Sequence, residues 1–158
     1  MALSLATGTN YHGSKASKGL VVISAGEGHK GIPRRVQAWR VHHDKERDRI
    51  PVALTNRAAD LFDPASLNSF CAEVDELIQL VGAPKLMIID TVARHMGGKD
   101  ENNAQDMGEL VKTADKLKET YKCAIMLVHH TGHSNQDRAR GSTAFKGALD
   151  TEILVKLK

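Results

Sequence analysis

The amino-acid sequence predicts an α/β fold, a three-layer α/β/α sandwich built around a mostly parallel sheet. Three apolar runs carry this prediction, and they span residues 20–25, 86–90 and 123–128. A run that is apolar throughout is typical of a strand buried on both faces of a parallel sheet. Amphipathic helical patterns separate the runs, and this alternation implies right-handed crossovers between parallel strands. With 158 residues, the chain is expected to form one domain, 1–158, around a single core.

The first half of the chain contains four predicted elements. They are a helix over 1–7, a strand over 20–25, a helix from Ile32 to about His43 and a short strand over 51–54. Gly8 is expected to end the first helix, because glycine adopts the left-handed conformation common at helix C-termini. Pro33 suits the first turn of the second helix, since its missing N–H has no intrahelical partner there.

The second half begins with a strong helix signal. Asp63 and Pro64 form an N-cap followed by a first-turn proline, and apolar residues keep helical spacing from Leu67 to Val81. Four further elements are predicted after it. They are the strand over 86–90, a helix carrying Met107 to Tyr121, the strand over 123–128 and a last strand over 152–155.

Composition agrees with a globular domain. The chain is 41% hydrophobic and 26% charged, with a formal net charge of +3, which permits a nucleic-acid partner without arguing for one. No run approaches the roughly 18 apolar residues of a membrane span, and the N-terminus lacks the basic region of a signal peptide. Cys71 and Cys123 fall at apolar positions and are expected to be core thiols. We therefore expect a cytoplasmic protein without a membrane partner.

Polar residues follow each of the three apolar runs. Glu27 comes after the first, Asp90 ends the second, and His129 and His130 follow the third. Because parallel strands end at the same sheet edge, where open α/β sheets bind ligands, these side chains are expected to form a site. An acid there can hold Mg²⁺ beside phosphates, a second carboxylate can orient water, and an imidazole can contact a phosphate.

Interpretations without a catalytic role also remain open for these residues. Asp90 alone is also typical of an N-cap, and Glu27 between two glycines is also typical of a solvated turn. The histidines are numerous enough to suggest zinc, but they have no cysteine partners, and the pattern from His129 to His133 lacks the helical H-E-x-x-H geometry.

The ordered set of motifs resembles the RecA-like ATPase core of RepA-type plasmid and phage replicative helicases. The matching segments are 25–28, 35–39, 86–91, 127–130 and 140–143. The resemblance implies ATP and Mg²⁺ as cofactors, with Asp90 and Thr91 at the nucleotide and Asp90 as the metal-binding acid. It also implies that Glu27 is the catalytic glutamate and that His129 or His130 is the γ-phosphate sensor. A ring-shaped homo-oligomer or hexamer that moves on single-stranded DNA is implied for the intact protein.

One element of that family is missing from the sequence. A P-loop ATPase needs G-x-x-x-x-G-K-[ST] between a strand and a helix, and the chain contains no such segment. The nearest string, 8–15, reverses the lysine and hydroxyl order and precedes a strand. We expect a partial RecA-like domain, truncated at both ends, that binds ATP weakly or not at all. An open sheet edge or the ring surface is then expected to cause self-association.

Two polar loops are the candidate nucleic-acid contacts, and they span 94–103 and 131–140. The resemblance places such loops at the channel of helicase rings, which makes a set of basic residues phosphate-contact candidates: Arg94, Lys99, Arg138 and Arg140. Arg140 is also a candidate arginine finger. The loops are equally typical of solvated surface. A rival interpretation is a non-catalytic RecA-like binding or assembly subunit that has lost its phosphate loop.

Overall fold

A computed structural model describes residues 1–130 and 143–155. The helices are α1 (Ala2–Thr7), α2 (Ile32–His42), α3 (Pro64–Val81), α4 (Ala104–Tyr121) and α5 (Thr143–Gly147). The strands are β1 (Leu20–Ala25), β2 (Val52–Leu54), β3 (Pro84–Asp90) and β4 (Ala124–Val128). A 3₁₀ helix, Val92–His95, follows β3 directly.

The strands form one four-stranded sheet in the order β2-β1-β3-β4, and every neighbouring pair is parallel. At the carboxyl edge, Ala25 lies opposite Asp90, and Asp90 lies opposite Val128. β3 therefore lies between β1 and β4 along the edge. The predicted α/β class and the parallel sheet are confirmed.

The core divides into two parts, one on each face of the sheet. Alternate strand residues such as Leu20, Val22, Met87 and Ile89 pack with α3 and α4, whose buried residues include Phe70, Val74, Met107, Leu110 and Leu117. The intervening residues Val21, Leu86 and Ile88 pack with Ala6 of α1. This two-residue period puts one layer of helix on each face and produces the three-layer sandwich.

Local sequence signals set the helix ends. The Asp63 carboxylate accepts hydrogen bonds from the N–H groups of Ala65 and Ser66 at the start of α3. Asn103 caps α4 in the same way. Gly8 ends α1 with φ of 75°. The predicted boundaries of the four strands before residue 130 and of α1 to α4 are confirmed to within about two residues.

The predicted strand over 152–155 is wrong. Residues 151–155 are in no strand, and Ile153 is 60% exposed and Val155 87% exposed. An apolar run becomes a strand only where a neighbouring strand offers backbone partners, and none of the described strands pairs with this segment. A short helix, α5, precedes it instead and buries Phe145 in the core.

The second difference concerns α2, which contributes no buried residue. Its large apolar residues Val36 and Trp39 are only half-buried, and Trp39 stacks against the His43 ring with centroids 4.2 Å apart. In the part of the chain that the structure describes, no helix is long and apolar enough to cross a membrane.

Candidate functional site

The candidate site lies at the carboxyl edge of β1, β3 and β4. Asp90 is the last residue of β3, His129 follows the last residue of β4, and Glu27 lies two residues beyond β1. Because these three strands are neighbours with aligned ends, the structure brings the predicted residues to one edge with Asp90 in the middle. The roles assigned to these residues remain predictions.

Backbone contacts join the ends of β1 and β3. The Gly26 N–H donates a hydrogen bond of 2.6 Å to the Asp90 carbonyl, and the peptide bond from Asp90 to Thr91 is cis. The Asp90 side chain is half-buried, while Thr91 is buried and its Oγ1 has no hydrogen-bond partner among the described residues. Carboxylate and hydroxyl oxygens are ligands that Mg²⁺ prefers, so the donor chemistry of these two residues fits the metal of a Mg²⁺–nucleotide.

Glu27 is held by an arginine. The Arg94 Nε donates a hydrogen bond of 2.9 Å to Glu27 Oε1, and the two charges form an ion pair at the surface. This hydrogen bond and the arginine charge hold the pKa of Glu27 below its usual range, so it is a carboxylate at neutral pH. The pair depends on Gly26, because a Cβ at that position would collide with Cβ of Arg94.

A buried histidine that the sequence did not single out stabilises this edge. His95 is fully buried; its Nε2 lies 2.8 Å from Ser24 Oγ, and its Nδ1 lies 2.8 Å from the Thr91 carbonyl. A carbonyl only accepts, so Nδ1 carries the proton and donates to Thr91, while Nε2 accepts from the Ser24 hydroxyl. Burial lowers the pKa of His95, which keeps the ring neutral.

His95 thereby connects β1 to the segment that follows Asp90. Its own carbonyl also accepts a 3.0 Å hydrogen bond from the Leu61 N–H, which adds the chain between β2 and α3. The available signal was the spacing of Val92 and Met96, two apolar residues that are both buried beside His95. The predicted polar loop over 94–103 includes His95, so the prediction missed this buried network.

The two candidate sensor histidines differ in exposure. The His129 side chain is 6% exposed; its Nδ1 donates to the His130 carbonyl at 3.0 Å, and its ring lies beside Phe145. His129 Nε2 has no hydrogen-bond partner in the described part of the chain, and the nearest carboxylate oxygen, Glu101 Oε2, is 4.0 Å away. His130 is exposed.

The predicted nucleic-acid residues have acidic neighbours. Arg94 contacts Glu27, and Lys99 Nζ lies 3.7 Å from Asp106 and 3.8 Å from Glu109. The candidates Arg138 and Arg140, and the histidine at 133, lie outside the described residues. Within residues 1–130 and 143–155, no three His, Cys, Asp or Glu side chains form a group that would hold a metal ion.

Comparison with known proteins gives a family. A protein-family model described as an AAA domain matches residues 1–136, which is most of the chain and includes all four strands. A search of curated proteins found no match. Together with the parallel α/β sheet, the match shows an ATPase-like P-loop fold. The chain belongs to the AAA domain family.

Proposed function

We propose that the chain supplies the metal-binding and water-orienting edge of an ATPase. The parent protein in this proposal is a DNA helicase or replication protein of a plasmid, phage or other mobile element. It couples ATP hydrolysis to movement on single-stranded DNA as a ring-shaped homo-oligomer. One observation carries the proposal: Asp90 ends β3, and β3 lies between β1, which precedes Glu27, and β4, which precedes His129.

Each residue has a separate task in this proposal. Asp90 and the Thr91 hydroxyl, which has no hydrogen-bond partner among the described residues, would hold Mg²⁺, and the ion would spread the charge of the phosphates. Glu27, a carboxylate at neutral pH, orients the attacking water. The Nε2 of His129, which has no hydrogen-bond partner in the described part of the chain, contacts the γ-phosphate. His130 is the alternative sensor.

Arg94 connects the nucleic-acid loop to this chemistry. It is exposed, it lies at the start of the predicted 94–103 loop, and it pairs with Glu27. A nucleic-acid phosphate that binds Arg94 competes with the Glu27 carboxylate. In the proposal this competition releases Glu27 to accept a hydrogen bond from water, so DNA contact promotes hydrolysis.

These residues do not supply the loop that binds the phosphates of the nucleotide. The 158 residues contain no G-x-x-x-x-G-K-[ST] segment, so hydrolysis in this proposal requires a phosphate-binding loop from outside these residues. The same absence favours the second candidate function, a non-catalytic binding or assembly subunit with an AAA domain.

The test compares this chain with one extended by the upstream reading frame. The extended chain is expected to hydrolyse ATP in the presence of Mg²⁺. In it, Glu27→Gln should retain nucleotide binding and lose turnover, whereas Asp90→Asn should weaken the Mg²⁺-dependent part of both. An extended chain that contains the phosphate loop and hydrolyses no nucleotide would favour the assembly subunit. Glu27→Gln with unchanged turnover would remove Glu27 from the mechanism.

A further inference from the structure

The positive charge of the chain is concentrated in one segment, residues 30–49. It contains seven lysines and arginines against three acidic residues, a formal charge of +4. Because the whole chain carries +3, all of the remaining residues together carry −1. The mild net charge of the whole sequence therefore conceals one strongly basic segment. We call residues 30–49 the basic segment.

Packing in the hydrophobic core does not explain the composition of the basic segment. It contains α2, and none of the 11 residues of α2 is buried. Arg34 and Arg35 are exposed in the first turns of that helix, and neither side chain makes a hydrogen bond or ion pair within the described residues. Helices that pack on a sheet usually bury an apolar stripe, and α2 buries none, so packing against the core does not explain this helix.

The chain after α2 is held in a fixed shape by Arg40. Its guanidinium donates to the carbonyls of Lys45, Glu46 and Asp48, at 3.2, 2.7 and 2.7 Å. A 3.1 Å ion pair between Lys45 and Asp48 adds to this turn. Arg40 thus holds the backbone of the turn that carries Arg47 and Arg49.

Two further arginines project from that turn. Arg47 and Arg49 are both exposed and have no hydrogen-bond or ion-pair partner in the part of the chain that the structure describes. With Arg34 and Arg35 they make four uncommitted guanidinium groups on one ordered segment. The planar fork of arginine suits bidentate binding of phosphate oxygens.

We propose that the basic segment binds the phosphate backbone of a nucleic acid. This surface is separate from the 94–103 and 131–140 loops, and its assignment does not rest on ATP hydrolysis. Charge complementarity selects a polyanion. A membrane surface is disfavoured, because a helix that lies on lipid needs a broad apolar face, and Val41 is the one large exposed apolar residue among 30–49. The segment begins three residues after Glu27, which follows β1 at the candidate catalytic edge.

The test uses the chain as it is and a fluorescein-labelled oligothymidylate of about 20 nucleotides, read by anisotropy at about 50 mM salt. The variant is Arg34→Glu/Arg35→Glu. Acidic residues suit a helix N-terminus, so α2 is expected to remain folded, which circular dichroism checks. The matched control is Lys112→Glu/Lys116→Glu on exposed positions of α4, which changes the net charge equally.

The α2 variant is expected to bind the oligonucleotide at least roughly tenfold more weakly. The slope of log K against log salt concentration should become less steep by about 1.4, the change expected when two phosphate contacts to a single strand are lost. The α4 control is expected to lose less than about threefold. Equal losses in both variants would overturn the proposal, because net charge alone would explain binding. Absence of binding by the unmodified chain, or binding to phosphatidylserine vesicles instead of the oligonucleotide, would also overturn it. Each of these results leaves the ATPase proposal standing.

Discussion

Replacing Ser24 with alanine tests whether the buried His95 network stabilises the site edge. The Ser24 hydroxyl is fully buried, and it donates the 2.8 Å hydrogen bond that satisfies His95 Nε2. In Ser24→Ala, His95 Nε2 remains buried without this partner, and the Ala59 N–H loses its weaker 3.4 Å hydrogen bond to Ser24 Oγ. Leaving a buried polar group unpaired costs about 1–3 kcal/mol, while the volume lost is a single oxygen atom. We therefore expect the free energy of unfolding to fall by about 1–3 kcal/mol.

Urea unfolding followed by circular dichroism measures this change, with an unchanged m-value as the sign that only stability was altered. Ser17→Ala is the control, because Ser17 is exposed and makes no hydrogen bond among the described residues, and it should change stability by less than about 0.5 kcal/mol. The double variant Ser24→Ala/His95→Leu should lose less than the sum of the two single variants, since it removes both partners. A Ser24→Ala protein as stable as the Ser17→Ala protein would refute the network.

Three further predictions concern the same edge. Gly26→Ala should destabilise the fold by about 1–3 kcal/mol, because the new methyl group collides with Arg94. Gly108→Ala in α4 is the control; the space around it is open, so it should stabilise the fold by up to about 1 kcal/mol in the same urea unfolding measurement. Glu27→Gln should tighten oligonucleotide binding about two- to fivefold by freeing Arg94, and the same change in an Arg94→Ala background should have no effect; anisotropy measures this cycle. Because the pKa of His95 is lowered in the folded state, the unfolded chain binds the proton more tightly, so stability should fall as pH drops below about 6.5; His95→Gln should flatten that dependence in unfolding curves at successive pH values.

The sequence predicted those parts of the fold that are encoded locally. The apolar runs located the strands, and Asp63 with Pro64 located the start of α3. The end positions of Glu27, Asp90 and His129 followed from parallel topology, because strands that run the same way end at the same edge.

The features that the sequence did not predict depend on distant partners. The 152–155 strand needed a neighbour that its own apolar pattern cannot specify. His95 lies 71 residues from Ser24, and Arg94 lies 67 residues from Glu27, so neither pair has a local pattern. The charge of the basic segment was visible in the sequence, but its exposure and its fixed turn required the structure.

We propose that Mg²⁺–ATP binds at the carboxyl edge of β1, β3 and β4, and an NMR titration of this chain is the most direct test. Chemical shifts detect binding even at an affinity of roughly millimolar, about −4 kcal/mol, which is what we expect without a phosphate loop. We predict Mg²⁺-dependent changes concentrated at 26–28, 90–91 and 129–130, and their loss in Asp90→Asn. Shifts that cluster elsewhere on the fold, or that persist unchanged in Asp90→Asn, would contradict the account.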